Sequence, residues 1–144
     1  MGCTPRRESD VIVLDTSGIL ALLDADDPDH ERCVATLSDH KAPFIVPAGI
    51  LGEVGHLVEA KLGASALLDF VGELDRRTFE LDCGHDDFGA IARLLTRYED
   101  LRLGLADASV IACAARRGAD VLTLDLRDFG PVAREGTVRL ALPG

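Results

Sequence analysis

Apolar residues in this chain come in short blocks separated by polar breaks, and the blocks alternate between two spacings. Residues 11–14 form a continuous β-branched run closed by Asp15, which predicts a strand buried on both faces. Residues 16–24 follow with Ile19, Leu20, Leu22 and Leu23 at helical spacing. Pro28 suits the first turn of a second helix reaching about Asp39. Residues 44–46 predict a second strand; Pro47 then opens a helix over about 48–61, closed by Gly63, and 64–76 forms another. Thr78, Phe79, Glu80 and Leu81 alternate polar and apolar, as a half-buried strand does. Residues 86–102 place Phe88, Ile91, Leu94 and Leu95 on one helical face, and 107–117 reads as a helix stopped by Gly118. Residues 121–124 and 138–141 are the last two strands, and no element is assigned between them.

Strands alternating with helices predict right-handed crossovers and a mostly parallel sheet, hence an α/β fold built as a three-layer α/β/α sandwich. The expected layout is an N-terminal tail over 1–10 and one domain over 11–144, in line with the 144-residue length. Ligands of such sheets sit beyond the carboxyl ends of the strands. Asp15 and Asp125 each follow a strand, Asp107 starts a helix, and Glu53 lies in the first turns of the helix leaving the second strand. Four acids from distant segments thus converge on one edge. Each has a plainer reading. Asp15 and Asp125 suit helix caps or turns, and Asp107 suits an N-cap. Glu53 resists it, because the window 45–58 is almost wholly apolar or small, and a carboxylate on a mostly buried helix needs a distant partner or a metal. Gly49, Gly52 and Gly55 line one face of that helix and suit close helix packing.

The charge changes this picture in one respect. The formal net charge is −10, with 5 basic and 14 acidic residues in 1–75 but 10 and 11 in 76–144, where every basic residue is Arg. The balance argues against a simple phosphate-binding surface, and nearly all the Arg density lies in the second half. Arg116 and Arg117 end the helix begun by Asp107. They suit either flanking phosphates or a second copy of the chain, or simply the favourable end of the helix dipole. Arg127 follows the last acid. The four cysteines show no C-x-x-C spacing and read as reduced thiols, with Cys113 in the core. His30, His40 and His85 read as surface residues, and His56 either as a helix-surface residue or as support behind Glu53. No apolar run approaches the roughly 20 residues of a membrane span, and the polar first ten residues carry no signal-like apolar stretch. A cytoplasmic protein with no membrane partner is the expectation.

Carboxylates gathered without cations raise one another's pKa, and a divalent ion relieves the repulsion. Oxygen-only donors suit Mg²⁺ or Mn²⁺ and not zinc. Such an ion activates water and stabilises displacement at phosphorus. A haloacid-dehalogenase-type phosphatase would need a second acid two residues after Asp15, where Ser17 stands. A phospho-receiver would need a lysine late in the chain, and none follows Lys61.

Four segments carry a resemblance. Residues 11–23, with Asp15-Thr16-Ser17, resemble the opening of a PIN-domain nuclease, in particular the VapC-type toxins of bacterial toxin–antitoxin pairs. Pro47 to Val54, Leu105-Ala106-Asp107-Ala108 with Ile111-Ala112, and Leu122-Thr123-Leu124-Asp125 through Phe129 are similar to its other three motifs. The resemblance implies a Mg²⁺- or Mn²⁺-dependent endoribonuclease with Asp15, Glu53, Asp107 and Asp125 as the catalytic, metal-binding acids. It implies Thr16 or Ser17 at the hydroxyl position beside the first acid and Thr123 before the fourth. Arg116, Arg117 and Arg127 are candidate RNA contacts. Asp128 is either a further acid or a turn or surface partner of an arginine. An RNA substrate, a homodimer and a cognate antitoxin with a basic segment are the implied partners. The alternative is a catalytically silent PIN-like module that binds RNA or protein.

Overall fold

The computed structural model describes residues 10–142, so nine of the ten residues of the expected tail lie outside the described residues. Five strands form one sheet: β1 (Ile12–Leu14), β2 (Phe44–Pro47), β3 (Phe79–Asp82), β4 (Asp120–Leu122) and β5 (Arg139–Leu140). Their order is β3-β2-β1-β4-β5 and every pair is parallel. β1 is central, and Ile12, Val13 and Leu14 have no exposed surface. That is why this strand reads as a continuous apolar run and not as an alternation.

Seven helices connect the strands: α1 (Thr16–Leu23), α2 (His30–Ser38), α3 (Leu51–Leu62), α4 (Ala64–Asp75), α5 (Phe88–Arg97), α6 (Leu105–Arg117) and α7 (Leu126–Arg134). α1 packs on α2 and α3, and α3 on α4; α5 and α6 pack together, and α6 lies against β1. The chain is an α/β/α sandwich, as the alternation of elements predicts. Two close approaches hold α1 and α6 near the sheet edge. A Cβ on Gly18 would come within 2.7 Å of the Leu122 carbonyl oxygen, and one on Gly49 would collide with Ser109 of α6. Gly52 and Gly55 meet open space, so close packing explains Gly49 alone.

The structure departs from the sequence reading in five places. α7 was not expected, because Gly130-Pro131 punctuates its sequence. The helix tolerates Pro131 because it is short, with Phe129 and Val132 buried beneath it. The strand expected over 121–124 ends at Leu122, and the helix expected over 86–102 ends at Arg97, followed by a 3₁₀ turn over Glu99–Leu101. α6 starts at Leu105, so Asp107 lies inside its first turn and the N-cap position is Gly104. His40 is not a surface residue. Its ring is 4% exposed, with Nδ1 2.8 Å from the Thr36 carbonyl oxygen and Nε2 3.3 Å from Asp120, which also accepts from Arg139.

Arg116 and Arg117 are committed inside the fold. The Arg116 guanidinium donates to Asp82 at 2.6 Å and to Asp87 at 2.7 Å, and Arg117 donates to the other Asp82 oxygen at 2.6 Å. These bonds tie the end of α6 to the end of β3 and the start of α5. Burial works to raise the Asp82 carboxyl, but the two guanidiniums outweigh it and hold the group below the usual carboxylate range. Removing Arg116 leaves Asp87 without a cationic partner among the described residues and Asp82 with one. Arg116→Ala is expected to destabilise the protein by about 3 kcal/mol, the low end for a broken buried pair because the guanidinium is 41% exposed. A urea unfolding curve checks it, and an unshifted midpoint would make these pairs energetically idle.

Candidate metal centre

The site is assembled where β1 and β4 end and α1, α6 and α7 begin. Asp15 follows β1 directly and stands at the N-cap position of α1, but its side chain makes no capping hydrogen bond. It is 5% exposed and turns instead into a hydroxyl network. Its Oδ2 accepts from Thr123 Oγ1 at 2.8 Å and from Ser17 Oγ at 3.1 Å. The same hydroxyls bind backbone: Ser17 Oγ accepts from the Leu124 N–H at 2.9 Å and Thr123 Oγ1 from the Asp125 N–H at 3.0 Å. The end of β1 is thereby stitched to the turn that carries Asp125. Burial raises the Asp15 carboxyl above its ordinary value. The bonds from Thr123, the Thr16 backbone and Ser17 pull it back, and nearby Asp125 pushes it further up.

Asp125 caps α7, its Oδ1 accepting from the Asp128 N–H at 3.2 Å. This bond folds Asp128 back toward Asp125, and Asp107 arrives from α6. The three residues each offer a carboxylate oxygen, and these oxygens lie within 4.8 Å of one another. Asp107 is pushed up to about 8, first by burial and then by a hydrogen bond with Asp128 and the charges of Asp128, Asp15 and Asp125. Asp107 is therefore no N-cap, whereas Asp125 combines a cap with a place in the cluster.

Glu53 approaches from across the site. It is exposed, contrary to the buried setting expected from its apolar neighbours, because α3 turns that face outward while Val54 and Val58 point into the core. Thr16 Oγ1 donates to its Oε1 at 2.6 Å. Asp15, Glu53, Asp107, Asp125 and Asp128 all line one open depression of about 520 Å³. The four acids singled out in the sequence thus share one concavity. The tight trio is Asp107, Asp125 and Asp128, with Asp15 adjacent and Glu53 facing it. The hydroxyls of Thr16 and Ser17 serve different acids. Asp128 enters through α7, so its place follows from an element the sequence did not announce; the four-residue span from Asp125 to Asp128 was the available signal. His56 is exposed, and no hydrogen bond or ion pair joins it to Glu53 among the described residues. Arg127 is exposed on the first turn of α7.

The donor set fits a hard divalent cation. All donors are carboxylate oxygens, with no histidine or thiol among them. The three oxygens lie close enough together to be shared by one such ion.

Comparison with known proteins gives the family. The PIN domain family matches residues 12–135, nearly all of the described chain. The chain belongs to the PIN-domain family. It is 33% identical to Ribonuclease VapC26 of Mycobacterium tuberculosis over 133 residues, which span 91% of this chain and 98% of that protein. The crystal structure of Mycobacterium tuberculosis VapC20, a toxin that cleaves the sarcin–ricin loop, aligns with a TM-score of 0.72 at 21% identity. The alignment covers 84% of this chain and 94% of that one, and it speaks for the shared fold.

The raised Asp107 gives the metal-free protein a pH dependence. A carboxyl that titrates near 8 when folded and near 3.8 when unfolded binds its proton more tightly in the native state. Its contribution is greatest at low pH and is lost as pH rises from about 4 to about 8. In EDTA, the melting temperature is expected to fall between pH 6 and pH 8 (~2 units within that window), and Asp107→Asn is expected to flatten the fall. Thermal unfolding across that range checks it; equal slopes in the two proteins would remove Asp107 as the cause.

Proposed function

We propose that this chain is a divalent-metal-dependent endoribonuclease and the toxin of a toxin–antitoxin pair. The observation that carries the reading is the Asp107–Asp125–Asp128 cluster, set in an open depression with Asp15 and Glu53. The likeness to Ribonuclease VapC26 over almost the whole of both chains supports RNA as the substrate. Asp107, Asp125 and Asp128, with Asp15 beside them, are the residues that would hold Mg²⁺ or Mn²⁺. When bound, the ion supplies charge stabilisation at the phosphodiester and a more acidic water for in-line attack.

The side chains divide the remaining work. Thr123 and Ser17 fix the orientation of the Asp15 carboxylate through its Oδ2. Glu53, oriented by Thr16, stands on the opposite wall and is the group placed to order the attacking water and take its proton. Among the described residues no cationic side chain lines the depression, so its carboxylates are open to a cation from outside. A basic segment of a cognate antitoxin fits there, since a guanidinium binds carboxylates bidentately. A homodimer, the common state of this family, completes the reading.

Purified protein is expected to cut RNA with Mg²⁺ or Mn²⁺ and to stop in EDTA. Asp15→Asn, nearly isosteric, is expected to abolish cutting while keeping the wild-type circular dichroism spectrum. Cleavage that persists in EDTA, or in the Asp15→Asn protein, would overturn the mechanism. Co-expression with the product of the neighbouring reading frame is expected to yield a complex inactive on RNA. Failure of that product to bind, or a complex that still cuts, would leave a stand-alone nuclease.

A further inference from the structure

The depression that holds the acids does not end at them. Asp125 and Asp128 also form one wall of a second open depression of about 700 Å³, whose other lining includes Asp100, Arg102 and Arg127. The two hollows lie side by side across this shared wall, a trough in two parts. The first has no cationic side chain in its lining; the second has two. The trough is therefore polarised, with its positive charge on the α7 side only.

The two arginines stand apart from most others in the second half of the chain. Arg76, Arg97, Arg116, Arg117 and Arg139 are all engaged in ion pairs. Among the described residues, Arg102 and Arg127 have no ion-pair partner. Both also occupy places that local stability does not favour. Arg127 lies in the first turn of α7, where the exposed N–H groups already carry partial positive charge and a cation is disfavoured. Arg102 closes the 3₁₀ turn in the left-handed region, with φ 57°, a conformation that a long side chain rarely adopts and that is concentrated at functional sites. An anion held in this hollow would meet both guanidiniums in its lining.

We propose that Arg102 and Arg127 form a phosphate-binding rim that holds a backbone phosphate of the RNA strand next to the one being cut. This proposal rests on the ribonuclease reading and specifies its substrate path. A strand whose scissile phosphate lies over the Asp107–Asp125–Asp128 trio continues along the trough across the wall of Asp125 and Asp128. Its neighbouring phosphate then falls to Arg102 and Arg127, the cationic lining among the described residues. The strand is held on one side of the cut, by contacts to phosphate and not to bases, so the rim positions RNA without selecting its sequence. Arg116 and Arg117, held by Asp82 and Asp87, take no part in this path.

The test compares Arg102→Gln, Arg127→Gln and the double variant with Arg77→Gln. Arg77 has the same left-handed backbone, with φ 67°, but sits at the amino edge of the sheet, before β3. Binding of fluorescein-labelled single-stranded RNA oligonucleotides of random sequence is measured across a salt series in the Asp15→Asn background. Each rim variant is expected to weaken binding and to lower the slope of log affinity against log salt by about 0.7, the value for one phosphate contact on a single strand. Arg77→Gln is expected to keep both. In the active protein, rim variants raise KM with kcat retained, as loss of ground-state and transition-state binding in equal measure requires. A double variant with the affinity and salt slope of Arg77→Gln would overturn the rim and leave the nuclease reading intact. Failure of the Asp15→Asn protein itself to bind the oligonucleotides, together with no cleavage by wild type, would overturn both.

Discussion

Like charge is the constraint on which this structure turns. Carboxylate oxygens of Asp107, Asp125 and Asp128 lie within 4.8 Å of one another, and Asp15 is close enough to add to their repulsion. In a metal-free protein the cluster survives by holding protons: Asp107 keeps its own up to about pH 8 and hydrogen-bonds to Asp128. The fold must therefore supply the energy that keeps these groups together. It does so with a sheet whose central strand is wholly buried and with α6, whose Ala108, Val110, Ile111, Ala112, Cys113 and Ala114 are all in the core. Asp107 has little freedom to retreat, because the helix that carries it is anchored along its length.

Two devices divide the strain. The hydroxyls of Ser17 and Thr123 neutralise part of the burial cost of Asp15 and tie β1 to the β4–α7 turn, so one side of the site is rigid. At the other end of α6, Arg116 and Arg117 close on Asp82 and Asp87. Acids are thus treated in two ways in one small domain. Where they meet arginine, the carboxyl of Asp82 is lowered and the contact is structural. Where no cation is available, the carboxyl of Asp107 is raised and the group remains open to a ligand. The contrast separates a structural acid cluster from a reactive one, which a count of acidic residues does not.

Much of this was legible in the sequence because strand ends are legible. The run before Asp15 can only be a buried strand, and its parallel partner before Asp125 places both acids on one edge. Asp107 was found for the same topological reason, although its helix begins two residues earlier than expected. The errors have a common origin: one-dimensional patterns report composition, not orientation. Glu53 sits among apolar neighbours, yet α3 exposes it, since Val54 and Val58 alone of its near neighbours on that helix are fully buried. His40 sits among polar neighbours, yet it is enclosed by Asp120, a residue far along the chain. Asp128 was ambiguous because its position depends on α7, and Gly130-Pro131 conceals that helix. Arg116 and Arg117 were read as candidate surface cations because nothing local announces that Asp82 and Asp87 will meet them.

The allocation of arginines follows from the same constraint. With a net charge of −10, this protein cannot attract a polyanion by its overall field. Attraction has to be local, and it has to be close to the proposed metal-binding acids without cancelling them. An arginine inside the depression of Asp15, Glu53 and Asp107 would pair with the carboxylates and exclude the ion, as Arg116 and Arg117 show by silencing Asp82 and Asp87. An arginine far from it would hold RNA away from the chemistry. The shared wall of Asp125 and Asp128 is the compromise: it separates Arg102 and Arg127 from the acid-only hollow by one layer of carboxylate. Arg102 and Arg127 adjoin the acids closely enough to share a strand with them and lie outside the hollow that the proposed metal ion would occupy. The same separation suits inhibition, because a guanidinium brought by a partner can do in the acid hollow what the protein's own arginines are kept from doing.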